Sequence, residues 1–230
     1  MQCNAELPEL MSCNPWFASL PPVDQKMMLR ESTLIHLAPG EWLFRKGDVP
    51  SGFHGLCTGR LKASTLREDG REAILVILEP GHWFGQTSMI TGQPRNHDVT
   101  ALESAEVLMI EAGAFDAMMR CNAFARAIAS LEAMHTSLVF RMLEDATLYS
   151  TRARIARRLM RLSLGDTTTA SVSQSKIPIS QDTLAKMLGI MRQTLSLELK
   201  AMVTAGAIAL GYGRIDILSA EILKSFEDKI

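Results

Sequence analysis

"SQDTLAKMLGIMRQTLSLELKAM", residues 180–202, decides how the C-terminal third of this chain is built. Leu184, Ala185 and Leu188 recur at helical spacing, Gly189 interrupts, and Leu195, Leu199 and Met202 resume an apolar stripe. Gly189 stands where a helix pair needs a left-handed residue, a conformation that costs glycine little. Ala185 is small, as close packing of a second helix across the first requires. The pattern predicts a helix-turn-helix, a unit whose second helix usually enters the major groove of DNA. The same spacing suits an ordinary helical hairpin in a core, so the rest of the chain has to separate the two readings.

On the C-terminal side, "GAIALGYGRIDILS" (206–219) reads as a hairpin with Gly211 and Gly213 bracketing its tip, which makes the unit a winged form. The tail "AEILKSFEDKI" predicts a short closing helix. On the N-terminal side, "LGDTTTASVSQS" (164–175) is a polar loop, and "STRARIARRLMRLS" (150–163) carries Arg152, Arg154, Arg157, Arg158 and Arg161. The charge is divided along the chain. Residues 1–149 hold 12 Lys and Arg against 18 Asp and Glu, and residues 150–230 hold 12 against 7. A net −1 thus conceals a basic C-terminal region, the part suited to meet a polyanion.

From about Pro39 to Ile110 the chain reads as short β-rich runs punctuated by Gly or Pro, the signature of a barrel or jelly roll. "REDG" (67–70) predicts a hairpin turn in which Asp69 and Gly70 take positive φ, and "EVLMIEA" (106–112) is the last strand. Beyond Ala114 the period changes. Ile128, Leu131, His135, Leu138, Met142 and Tyr149 fall near a three-four spacing, with Asp145 the odd member. The stripe predicts a long helix that pairs with a second copy of itself, while its first two turns also suit a helix covering its own barrel. The expected fold is α+β. A sensor jelly roll with an N-terminal helical segment occupies 1–112, a central dimerisation helix 113–149, and a winged helix-turn-helix 150–230.

In this order the elements resemble the Crp-Fnr bacterial transcription regulators, over about Phe17 to Leu218. "PGEWLFRKGD", "GRLKAS", "EPGHWFGQ", "TGQPRNHDVTA" and "GIMRQTLSLELKAM" fall where that family has its counterparts. The resemblance implies a homodimer offering two recognition helices to successive major grooves of double-stranded DNA, and contact with RNA polymerase. It places the recognition helix at about Met191 to Thr204. Arg192 falls on a base-reading arginine position suited to guanine O6 and N7, and Gln193 on a second base-reading position where glutamate is common. Thr194 and Lys200 suit phosphates, and Ser196 lies among them. Leu197 departs from the polar side chain common there and can only touch a thymine methyl or lie idle.

Relatives that bind cyclic AMP hold the ribose with a Gly-Glu pair and the phosphate with an Arg-Ser pair. Here the resemblance aligns Gly85-Gln86 and Arg95-Asn96, and Val139 and Phe140 fall on the adenine-contacting positions. Arg95 keeps a forked cation. Gln86 lacks the charge of a carboxylate and binds a hydroxyl less strongly. The departures argue against cyclic AMP and leave two readings, a pocket for some other anion or one without a ligand in which Arg95 makes a structural salt bridge.

Other chemistries find little support. Cys3 and Cys13 stand apart, so an iron-sulfur cluster with Cys57 and Cys121 is not expected, and Cys57 reads as a buried apolar residue. The histidines at 36, 54, 82, 97 and 135 lack metal-ligand spacing. His97 stands beside Arg95, within reach of a ligand, and His135 on the seam would make assembly sensitive to pH. No nucleophile-base pair or phosphate-cradling GxxxxGK[ST] loop suggests an enzyme. "AILVIL" (73–78), the longest apolar run, is too short to span a bilayer, and "MQCNAELPEL" has no signal-peptide pattern. Four cysteines make no disulfide framework, so a cytoplasmic setting is expected. The alternative function is a cyclic-nucleotide-type binding module working through protein contacts, for which Gln193 and Leu197 speak.

Overall fold

A computed structural model describes residues 7–165 and 175–227, and these fall into two compact units. The first consists of residues 7–65 and 75–136, and the second of 66–74, 137–165 and 175–227.

The first unit opens with three helices, α1 (Leu7–Ser12), α2 (Pro15–Ala18) and α3 (Pro22–Arg30). Asn14 caps α2 by accepting from the backbone N–H groups of Trp16 and Phe17, and a proline follows at the first helical position where its missing N–H costs nothing. Eight strands follow: β1 (Ser32–Leu37), β2 (Trp42–Phe44), β3 (Gly52–Thr58), β4 (Leu61–Leu66), β5 (Glu72–Leu78), β6 (Trp83–Phe84), β7 (Asp98–Ala101) and β8 (Ala105–Glu111). They form two four-stranded sheets, in the orders β1-β8-β3-β6 and β2-β7-β4-β5, with a short helix α4 (Gln86–Thr91) between β6 and β7. One core cluster joins the inner faces through Leu37, Phe44, Leu56, Leu61, Phe84, Val99 and Val107. A second packs the other face of the β3-bearing sheet against the helices through Trp16, Phe17, Phe53, Trp83, Phe115, Phe124, Ile128 and Leu131. Strand β3 lies between these layers and is buried at every residue but the last, which removes the alternation its sequence would otherwise show.

After β8 come α5 (Ala112–Met119) and the 27-residue α6 (Asn122–Leu148), with a break at Arg120 and Cys121. Trp16 ties the start of α6 to α2 by donating Nε1–H to the Ala127 carbonyl at 2.7 Å. Here the expected seam is corrected. Ile128 and Leu131 are fully buried in the core of the first unit, Leu138 is also buried, and His135 is bonded to Gln86. Asp145 is buried and ion-paired to Arg157 and Arg161. The apolar surface that α6 leaves exposed is carried instead by Val139, Phe140 and Leu143, each more than 60% accessible. The spacing identified a buried face and not the one facing outward.

The second unit contains α7 (Thr151–Ser163), β9 (Lys176–Ile177), α8 (Gln181–Leu188), α9 (Arg192–Thr204), β10 (Ile208–Gly211), β11 (Arg214–Ile217) and α10 (Ala220–Lys224). Its core joins Ile155 and Leu159 of α7 to Leu184, Leu188, Leu195, Leu199 and Met202. The wing hairpin gains a third strand in β9, giving the order β10-β11-β9. Nearly all of the polar loop read at 164–175 lies outside the described residues, as does Cys3. At the "REDG" turn only Gly70 takes positive φ, at 81°. The Gly70 N–H bonds to the Arg67 carbonyl and the Arg67 N–H to the Arg71 carbonyl. That is a type I turn closed by a glycine bulge, with no positive φ asked of Asp69. Among the described residues no helix is long and apolar enough to cross a membrane, and no group of three or more potential metal ligands occurs.

Candidate DNA-reading helix and effector pocket

Ser180 begins the helix pair by accepting from the Thr183 N–H, and Gly189 ends α8 at φ 65°, in the left-handed region where a side chain would be strained. Met191 then precedes α9 in extended conformation, so α9 starts at Arg192. Leu195, Leu199 and Met202 are fully buried on one side. The opposite side presents Gln193, Leu197 and Lys200, all exposed, with Arg192 exposed at the first turn and Thr194 and Ser196 half-buried at the flanks. Leu197, 69% accessible, stands in the middle of that face. All five residues expected to meet DNA thus belong to α9, with Thr194 and Ser196 the least accessible of them.

The basic run in α7 is largely spent inside the protein. Arg152 pairs with Glu198 of α9. Arg154 donates to the Leu188 carbonyl at 2.7 Å, placing a cation at the C-terminus of α8 where the helix dipole favours one. Arg157 and Arg161 close on Asp145, and Arg157 also lies 4.2 Å above the Tyr149 ring. Burial acts to lower the Arg157 pKa, but the hydrogen bond and charge of Asp145, aided by Tyr149 and Glu227, leave it raised. Arg158 is itself buried. The charge count of residues 150–230 therefore overstates what α7 offers a phosphate backbone. At the wing, Gly213 has φ 65° and Tyr212 is wholly exposed.

The second candidate site surrounds Gly85. Its φ of +93° is one reason for glycine, and space is another. A Cβ there would lie 2.9 Å from Arg95 Nη1 and 3.3 Å from His54 Nδ1. Arg95 is 3% accessible, with its guanidinium 4.3 Å above the Phe44 ring. Nη1 donates to the Gly85 carbonyl at 2.9 Å and Nη2 to the Gly52 carbonyl at 2.6 Å. Burial lowers its pKa to about 10, against the raising influence of Asp48, so it is a cation at neutral pH. The reading of Arg95 in a structural salt bridge is thereby corrected. Its terminal nitrogens hold backbone carbonyls of β3 and of the turn after β6, and Nε is buried without a partner among the described residues. His54, stacked on Phe84 and buried beside Arg95, is held neutral by burial first and by the Arg95 charge second, its pKa lowered to about 3. His97 lies against Phe44 and is also lowered, by burial and then by Arg95, with Asp98 opposing.

Gly85, Gln86 and Arg95 are brought together, whereas Asn96 is exposed, on the other side of a backbone whose neighbour Arg95 points inward. Gln86 is 2% accessible and bonds to α6, donating to Glu132 Oε2 at 2.7 Å with His135 Nδ1 at 2.9 Å. Val139 and Phe140 are exposed apolar residues. Glu132 and His54 are site residues that motif reading misses, because no local pattern marks either. The exposed Tyr212 could have been found from "GYG", a large ring between two glycines.

The architecture is that of a transcription regulator, a β-roll sensing domain followed by a winged helix-turn-helix. Residues 34–122 match the cyclic nucleotide-binding domain, and residues 153–226 match the Crp-like helix-turn-helix domain. The cyclic AMP receptor protein of Thermus thermophilus is 25% identical over 218 residues, covering 93% of this chain and 97% of the relative. An HTH-type transcriptional regulator, Cmr, of Mycobacterium tuberculosis is 28% identical over 200 residues, covering 82% and 73%. The solved structure of FixK2 from Bradyrhizobium japonicum has the same fold, with a TM-score of 0.76 at 17% identity over 86% of this chain and 98% of that one. The chain belongs to the Crp-Fnr family of transcription regulators.

Proposed function

We propose that this regulator acts as a homodimer that reads a specific duplex DNA sequence through α9, under control of a small-molecule effector other than cyclic AMP. The observation that carries the DNA reading is α9 itself, anchored by Leu195, Leu199 and Met202 while Arg192, Gln193 and Lys200 remain exposed. Arg192, in the first turn, has the fork that pairs with guanine, and Gln193 suits adenine. Thr194, Ser196 and Lys200 position the helix on phosphates. Residues 113–149 supply the dimer contact, with Val139, Phe140 and Leu143 as its apolar surface. Contact with RNA polymerase belongs to the same reading.

Two features weigh against cyclic AMP. The terminal nitrogens of Arg95, which would grip a cyclic phosphate in a fork, already hold the Gly52 and Gly85 carbonyls. The Gln86 amide is turned to α6. A smaller anion that needs only Arg95 Nε suits the cluster better, since that donor is buried and unpartnered. Leu197 favours a second reading, a module that meets another protein through this apolar spot on α9.

Selection of bound sites from random duplex DNA tests the proposal. A recovered consensus should bind Arg192→Ala more weakly by about 1–3 kcal/mol, with preference relaxed at one base pair and non-cognate DNA little affected. Binding without sequence preference, or equal losses on both DNAs, would favour the second reading.

A further inference from the structure

The contact between Gln86 and α6 has a chemistry of its own. Glu132 accepts from Gln86 Nε2 at 2.7 Å and from Thr87 Oγ1 at 3.0 Å, so one carboxylate of α6 receives two donors from the first turn of α4. A carboxylate can only accept, which fixes the amide with Nε2 and not Oε1 towards α6. His135 Nδ1 lies 2.9 Å from the same nitrogen. Burial lowers the His135 pKa while Glu132 opposes it, so the ring is neutral and its Nδ1 can accept the second amide proton. Both protons of the amide are then committed to α6. Its Oε1 is buried with no partner among the described residues. Gln86 follows directly after Gly85, whose carbonyl receives Arg95.

We propose that the Gln86 amide is the link between the Gly85–Arg95 cluster and α6, and that Gln86 and Glu132 are a matched donor–acceptor pair that sets the register of that link. This rests on the reading of the cluster as the effector site, and concerns how that site is regulated. The amide has one end for each neighbour, Nε2 for the helix and Oε1 for an occupant carrying a hydroxyl or N–H donor. An occupant engaging Oε1 shifts the group that holds Glu132. A glutamate at 86 would lose the donor, because two carboxylates would then meet at hydrogen-bond distance in a part-buried place. The departure from Gly-Glu to Gly85-Gln86 and the presence of Glu132 are therefore one feature of this chain.

A double-mutant cycle on the full chain tests the pair. Gln86→Glu should lower the melting temperature by roughly 5–10 °C, the size expected when a charge-assisted bond is replaced by repulsion in a chain of this length. Glu132→Gln added to it reverses donor and acceptor and should restore most of that loss. Amide hydrogen exchange over residues 137–148, the half of α6 beyond the contact, reads the linkage. It should accelerate about tenfold or more in Gln86→Glu, corresponding to one lost charge-assisted bond, and return in the double variant. Should Gln86→Glu fail to fold, a double variant that folds and melts near the wild type supports the pair, and one that does not overturns it. No rescue in the double variant, or rescue of melting with exchange at 137–148 unchanged throughout, also overturns the link. None of these readouts uses DNA, so an absence of sequence-selective binding would sink the proposed function without deciding this one.

Discussion

Acidification offers a direct test of the sensing domain, because two of its histidines are buried in neutral form. His82 is 1% accessible, and its Nδ1 accepts the Glu79 N–H at 2.8 Å, a bond that protonation would destroy. His54 is equally buried and faces the Arg95 cation. Burial is the main cause in both, joined by Arg95 at His54 and by His135 at His82, and each pKa falls from 6.5 to about 3. Between those values the unfolded chain binds more protons than the native one, so stability rises with pH. The contribution is complete above about pH 6.5 and is lost as the pH falls towards 3. From pH 7.5 to pH 5 each group costs about 2 kcal/mol, and the pair about 4 kcal/mol. For a chain of this size that lowers the melting temperature by roughly 10–15 °C. His97 and His135, also lowered, act in the same direction. Glu103, whose carboxyl is held below its usual range by Arg60, contributes only at lower pH. Calorimetric melting at fixed ionic strength, repeated on His82→Gln, measures the effect. The variant keeps an acceptor for Glu79 and should flatten the slope by one proton. A melting temperature constant from pH 7.5 to 5, or a slope identical in His82→Gln, would show that these histidines are not held neutral by burial in the native state.

Two further outcomes follow from the sites. Phe140→Glu puts a charge in the middle of the exposed apolar stripe on α6, removing on the order of 2 kcal/mol of burial per copy before any repulsion, and should convert a dimer to monomer in sedimentation; an unchanged dimer mass would place the interface elsewhere. Cyclic AMP should bind no tighter than about millimolar in calorimetry, since each lost charge-assisted contact weakens a site by roughly tenfold or more, whereas micromolar binding coupled to DNA affinity would show that Arg95 and Gln86 can be recruited from their present partners.

The helix-turn-helix was legible because its signals are local. The six apolar residues read from 184 to 202 are all buried, and one glycine marks the turn between them. Strand β9 escaped because two residues carry no period. The error on α6 has a different cause. The helix has an apolar face buried through Ile128, Leu131 and Leu138, and another exposed through Val139, Phe140 and Leu143. Spacing can find either face but does not say what covers it. The arginines of α7 misled in the same way, since a charge count registers five cations and not the Asp145, Glu198 and Leu188 carbonyl groups that receive four of them.

The pocket marks the limit of motif reading most sharply. At position 86 the sequence shows an amide where a carboxylate is common, and taken alone that is a weakened ligand contact. In the structure that amide has partners of its own on α6. Glu132 lies 46 residues away, with no motif to announce it, and it accepts from the amide at position 86 a bond that a carboxylate there could not donate. Reverting Gln86 to glutamate to recover a nucleotide contact would therefore set a carboxylate against Glu132. A departure from a family's binding pattern can be the half of a second interaction whose other half is remote in sequence, and its meaning depends on the partner rather than on the lost ligand bond.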